Sequence, residues 1–118
     1  MNYNIKGTGL AISPELREYT EKKLASADKF LMGDSVAHAN VELEFSQLRD
    51  GGKYKAEFTV SASGASYRAE HWGTSMHEAI DIAIGELLKE LRREKQKHIH
   101  LVRRGAAKIK DMIRGFRR

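Results

Sequence analysis

Five cations, Lys89, Arg92, Arg93, Lys95 and Lys97, fall within nine residues near the end of a long helical pattern. Spacings of three and four bring Lys89, Arg92 and Arg93 near one another on such a helix, where they can straddle a phosphate backbone. On spacing alone, an ordinary solvated helix face suits the same residues equally well. Earlier in the chain, Lys22, Lys23 and Lys29 supply cations to a shorter helix, with Glu18, Glu21 and Asp28 close enough to form surface pairs with them. If the two helices lie side by side, their exposed cations make one patch suited to RNA recognised by shape and phosphate.

Other chemistries find little support. The chain has no cysteine, which removes disulfides, thiolate metal sites and a cysteine nucleophile. His38, His71 and His77 are scattered, and His98 and His100, two apart, sit on different sides of a helix, so a metal site is not expected. Tyr67 and Trp72 have rings that can stack on bases, but a packing role at a strand end suits each better. There is no phosphate-cradling glycine loop, no nucleophile with a positioned base and no carboxylate pair in a plausible cleft, so the chain is not expected to be an enzyme or to bind a cofactor or small-molecule substrate.

The net charge of +5 over 118 residues conceals a division. Residues 1–88 carry nine Lys/Arg against thirteen Asp/Glu, a net of −4, whereas residues 89–118 carry twelve against three, a net of +9. A basic block at one end points to a polyanion, either nucleic acid or an anionic membrane surface. The first ten residues lack the basic and apolar segments of a leader, and no run approaches the ~20 apolar residues of a membrane span, so a cytoplasmic protein without membrane attachment is expected.

The elements that must position these cations follow from periodicity. Tyr3 and Ile5, closed by Gly7 and Gly9, suggest a short strand. Ser13-Pro14 starts a helix, since serine caps free N–H groups and proline's fixed φ suits the first helical position. Leu16, Tyr19, Leu24, Ala27, Phe30 and Leu31 form its apolar stripe, with Gly33 placed to stop it. Ala39, Val41, Leu43 and Phe45 alternate with polar residues over His38 to Phe45, the period of a half-buried strand. After Asp50-Gly51-Gly52, Tyr54, Ala56, Phe58 and Val60 repeat the pattern and make an antiparallel hairpin. A turn at Ser63-Gly64 leads to a third strand over Ala65 to Trp72. Ser75-Met76-His77-Glu78 reads as a capping box opening the longest helix, whose buried stripe is Met76, Ala79, Ile80, Ala83, Ile84, Leu87, Leu88 and Leu91. The fold class is therefore α+β in the order β-α-β-β-β-α, a four-stranded sheet with two helices on one face. Residues 1–98 form this domain. Residues 99–118 form a basic C-terminal extension with seven cations, including Arg103 and Arg104, and one acid. Val102, Ile109, Ile113 and Phe116 lie roughly along one helical face of it, Gly105 and Gly115 interrupt it, and it is expected to stay disordered until it binds.

Three stretches carry a family resemblance. Ile5-Lys6-Gly7 with Ser13-Pro14-Glu15-Leu16-Arg17-Glu18-Tyr19 and Lys22-Lys23-Leu24 resembles the first strand and helix of the ribosome hibernation-promoting factors, also called ribosome-associated inhibitors or sigma-54 modulation proteins. Met76, Ala79-Ile80-Asp81, Leu87, Lys89, Leu91, Arg92, Arg93, Lys95 and Lys97 resemble their second helix, and the element order is the family's own. The match covers about residues 1–97. Ser75 and His77 stand where the family usually has an acid and a tyrosine, and Glu86 and Glu90 replace residues commonly basic or neutral.

The resemblance implies binding through ribosomal RNA between the head and body of the small ribosomal subunit, where messenger and transfer RNA would otherwise lie, and so inhibition of translation by occupancy. It implies a monomer off the ribosome, because the chain stops short of the domain with which long members pair ribosomes. It points to Lys22, Lys23, Lys29, Lys89, Arg92, Arg93, Lys95 and Lys97 as RNA contacts, and the basic extension, departing from the acidic tail of some short members, is expected to add Arg103 and Arg104. Two other readings share these features: a general double-stranded nucleic-acid-binding module, and a membrane-surface protein acting through residues 101–118.

Overall fold

The computed structural model describes the backbone of residues 1–31 and 36–116 and the side chains of residues 1–31 and 36–97. The elements are β1 (Asn2–Thr8), α1 (Pro14–Ala25), a 3-10 turn (Asp28–Phe30), β2 (His38–Phe45), β3 (Tyr54–Ala62), β4 (Ala65–Gly73) and α2 (Met76–Phe116). The sheet order is β1-β2-β3-β4. β1 runs parallel to β2, with Ile5 opposite Val41. The other pairs are antiparallel, with Val41 opposite Phe58 and Phe58 opposite Ala69. This is the α+β order expected from the sequence.

The alternation along β2 and β3 decides which face is covered. Ala39, Val41, Leu43, Ala56, Phe58 and Val60 are all buried, while their neighbours Glu42, Glu44, Lys55 and Glu57 stay partly exposed on the other face. Against the buried face lie Leu24 of α1 and Ala79, Ile80, Ala83 and Leu87 of α2, again fully or almost fully buried. Each large apolar side chain in this layer contributes about 2 kcal/mol by leaving water, and the alanines at 79 and 83 let the helix backbone come close to the sheet.

Both helix starts obey local chemistry. Ser13 Oγ accepts from the Leu16 N–H at 3.1 Å, with Pro14 in the first helical position. Ser75 Oγ accepts from the Glu78 N–H at 3.1 Å. The returning half of the expected capping box takes another form, because the Glu78 carboxylate accepts from Thr74 Oγ1 at 2.8 Å. At the β3–β4 turn, Ser63 and Gly64 have φ of 52° and 76°, the two consecutive left-handed residues that a tight hairpin with right-twisted strands requires.

Two boundaries differ from expectation. α1 ends at Ala25, and the chain continues its apolar stripe through the 3-10 turn, so Ala27 and Leu31 are buried without being α-helical. Ser26 Oγ donates to the Lys23 carbonyl at this point, satisfying a backbone acceptor at the helix end. Gly33, the expected stop, lies outside the described residues. The backbone of α2 continues as helix past residue 98 to Phe116. The intervening sequence is rich in strong helix formers and lacks proline, and each interrupting glycine costs only about 1 kcal/mol.

Candidate nucleic-acid interface

The cations of α2 divide according to what each flank of the helix meets. On the flank toward the 3-10 turn, the Arg92 guanidinium lies 5.8 Å and Lys95 Nζ 5.9 Å from the centre of the Phe30 ring. Lys29 Nζ lies 5.0 Å from the same ring. Three cations from two elements therefore surround one half-buried aromatic ring, whose negative face offsets part of their mutual repulsion. None of the three has an ion-pair partner among the described residues.

On the other flank, Arg93 and Lys97 join Glu90 and Glu94 above the start of β4, lining a groove with Ala65, Ser66 and Tyr67. Lys97 is paired with Glu94 at 3.5 Å. Burial, then the nearby Glu94 and Glu90 carboxylates, push the Tyr67 hydroxyl above its ordinary pKa. This flank is mixed in sign. Lys89 is exposed between the two flanks and has no ion-pair partner among the described residues.

The cations of α1 are more committed. Lys22 pairs with Glu18 at 3.6 Å along the exposed helix surface. Lys23 Nζ reaches the Asp81 carboxylate of α2 at 3.2 Å, and the Tyr19 hydroxyl donates to the same carboxylate. The Tyr19 hydrogen bond and Lys23 hold the Asp81 carboxyl below the usual range, while Asp81 raises both Tyr19 and Lys23. The His77 ring packs 4.4 Å from that of Tyr19. Lys23 thus ties α1 to α2 as well as adding charge.

Of the residues singled out in the sequence, the structure brings Lys29, Arg92 and Lys95 together, sets Lys89 beside them on the helix, and separates Arg93 and Lys97 toward β4. The side chains of Arg103 and Arg104 lie outside the described residues. The centre of the cluster escapes sequence reasoning: Phe30 reads there only as part of an apolar stripe, and no spacing rule connects residue 30 to residues 92 and 95.

The open sheet face has a different character. Lys55 Nζ, largely buried, meets Glu42 at 2.9 Å, Glu44 at 3.5 Å and Glu57 at 3.6 Å. Arg68 bridges Glu57 at 2.9 Å and Glu70 at 3.0 Å. Nearby, the Arg49 guanidinium stacks 4.1 Å over the half-buried Trp72 ring. Lys55 and Arg68 on this face are thus neutralised by neighbouring carboxylates, unlike Lys29, Arg92 and Lys95, which have no ion pair among the described residues. No group of residues suited to hold a metal occurs among the described residues, and no helix there is long and apolar enough to cross a membrane.

Comparison with known proteins agrees with this architecture. Residues 3–99 match the family described as Sigma 54 modulation protein / S30EA ribosomal protein. The ribosome hibernation promotion factor of Bacillus subtilis is 30% identical over 97 residues, covering 82% of this chain and 50% of that protein. The chain thus spans about half the length of that relative. The ribosome hibernation promoting factor of Azotobacter vinelandii is 30% identical over 99 residues, 84% of this chain and 87% of the relative. Among solved structures, the N-terminal domain of Protein Y from Thermus thermophilus superposes with a TM-score of 0.67 at 30% identity, covering 79% of this chain and 98% of that one. With the fold and more than four-fifths of its length in agreement, the chain belongs to the Sigma 54 modulation protein / S30EA ribosomal protein family.

Proposed function

We propose that this chain is a ribosome hibernation factor that binds the small ribosomal subunit between head and body through ribosomal RNA, blocks messenger and transfer RNA, and so inhibits translation. It acts in the cytoplasm and is a monomer off the ribosome. The observation that carries the reading is the cluster of Lys29, Arg92 and Lys95 around Phe30, three cations without an ion pair among the described residues, on a fold shared with proteins named as hibernation factors. A phosphate backbone laid along this corner meets all three charges at once, with Lys89 one turn away. Lys22, Lys23 and Lys97 contribute to the surrounding field, each with its charge partly balanced by a paired acid, and Arg93 adds its charge in the groove it lines with Glu90 and Glu94. Occupancy alone suffices for inhibition, which agrees with a site that offers charge and shape but no reacting group.

Sedimentation of the purified chain with ribosomes and with separated subunits, at two salt concentrations, tests this. Near one-to-one recovery with the small subunit is expected, weakened by salt and by Lys29→Gln/Lys95→Gln. Equal affinity for any RNA duplex overturns the ribosomal reading in favour of a general double-stranded nucleic-acid module.

A further inference from the structure

The family match ends at residue 99, yet the backbone of α2 continues as helix to Phe116. The part beyond the match, residues 99–118, carries seven Lys/Arg against one Asp. Leu91 is the last buried residue of α2 among the described ones, residues 92–97 being exposed or half-buried.

Helical phase links this extension to the site already described. With 3.6 residues per turn, each residue advances by about 100°, and the helical positions of Lys89, Arg92, Arg103, Lys110 and Arg114 fall within about 60° of arc. Lys89 and Arg92 belong to the cationic surface beside Phe30, and the three later positions repeat their phase on the same unbroken backbone. At 1.5 Å per residue, the stripe from Lys89 to Arg114 is about 38 Å long. The apolar positions Val102, Ile109 and Ile113 fall on a separate arc. A row of cationic positions, in phase with Lys89 and Arg92, which have no ion pair among the described residues, complements a continuous phosphate backbone.

We infer that residues 99–116 are a second RNA-binding element, an arm that prolongs the α2 cationic stripe along the RNA that the Phe30 corner engages. The inference rests on the proposed reading of that corner as an RNA site. The arm adds affinity through phosphate pairing and little base specificity, and because its backbone is continuous with α2 it extends the bound surface in one direction.

The test uses the full chain carrying Arg103→Gln, Lys110→Gln and Arg114→Gln, with small ribosomal subunits and a short A-form RNA duplex as probes over a range of salt. Each cation withdrawn from a phosphate reduces the slope of log affinity against log salt by about 0.7–0.9. The triple variant is expected to bind both probes more weakly, with the slope shallower by about 2 and the helical circular dichroism unchanged. An unchanged slope overturns the arm. So does a defect confined to phosphatidylglycerol vesicles, which would make the extension a membrane element. The Lys29→Gln/Lys95→Gln chain reports on the corner separately: if it binds small subunits like the wild type while the triple variant does not, the corner reading fails and the arm is overturned as its prolongation, whereas a corner defect with an unchanged triple variant overturns the arm alone.

Discussion

Lys23 Nζ of α1 lies 3.2 Å from the Asp81 carboxylate of α2, and the Tyr19 hydroxyl donates to that same carboxylate from one turn earlier on α1. A polar clasp thereby joins α2, which carries Arg92 and Lys95, to α1, which leads into the 3-10 turn of Lys29. Because its partners hold Asp81 below its unfolded pKa, the clasp stabilises the fold above the unfolded value and loses that contribution as pH falls through the folded one. Asp81→Asn is therefore expected to lower the melting temperature at neutral pH. Melting curves taken at descending pH should converge with the wild type as the pH falls through the lowered pKa of Asp81, and a gap that never narrows in acid would show that the clasp is not electrostatic.

Lys55 on the open face serves three carboxylates at once. Burial works against its charge, but Glu42, Glu44 and Glu57 outweigh burial and raise its pKa. Removing the cation leaves three acids facing one another in a partly dry site, so Lys55→Ala is expected to cost about 2 kcal/mol in chemical denaturation. Lys55→Ala/Glu42→Gln should recover part of that loss, since one of the stranded acids is gone. Ribosome binding, assigned to the other face, should change by less than the stability does.

Two glycines respond oppositely to alanine. Gly9 has φ of +72°, and a Cβ there would come within 2.4 Å of the Phe45 carbonyl oxygen, which is backbone and cannot turn aside. Gly85 lies within α2, with nothing within 4 Å of an added Cβ. Thermal denaturation should show Gly9→Ala destabilising by more than about 1 kcal/mol and Gly85→Ala stabilising by about 0.5–1 kcal/mol.

The strands and core are legible in the sequence because alternation is a local signal: it marks His38 to Phe45 at the boundaries the structure has. The end of α1 is not, since Leu24, Ala27 and Leu31 keep three- and four-residue spacing whether the chain is α-helical or tightens into a 3-10 turn after Ser26. Ser75 is readable as a cap, but the preference of Glu78 for the Thr74 hydroxyl depends on where the incoming loop lies. The cations of the site are visible as charges. Their division into a mixed set near β4 and an unpaired set near Phe30 depends on which tertiary neighbour each flank of α2 receives, and no window of sequence contains that.

Phe30 makes the last prediction the most specific. Its ring is about 5–6 Å from Lys29, Arg92 and Lys95, distances at which an exposed cation gains about 0.5–1 kcal/mol from an aromatic face. Phe30→Leu keeps an apolar group over the core and removes only the quadrupole, so the fold should be largely retained while the three cations lose their common centre. Small-subunit affinity is expected to fall about three- to tenfold. The slope against salt should stay as in the wild type, because no charge has been removed. Phe30→Tyr, which keeps the ring, should bind like the wild type. If Leu and Tyr behave alike, the ring is only a spacer and the corner works by charge alone.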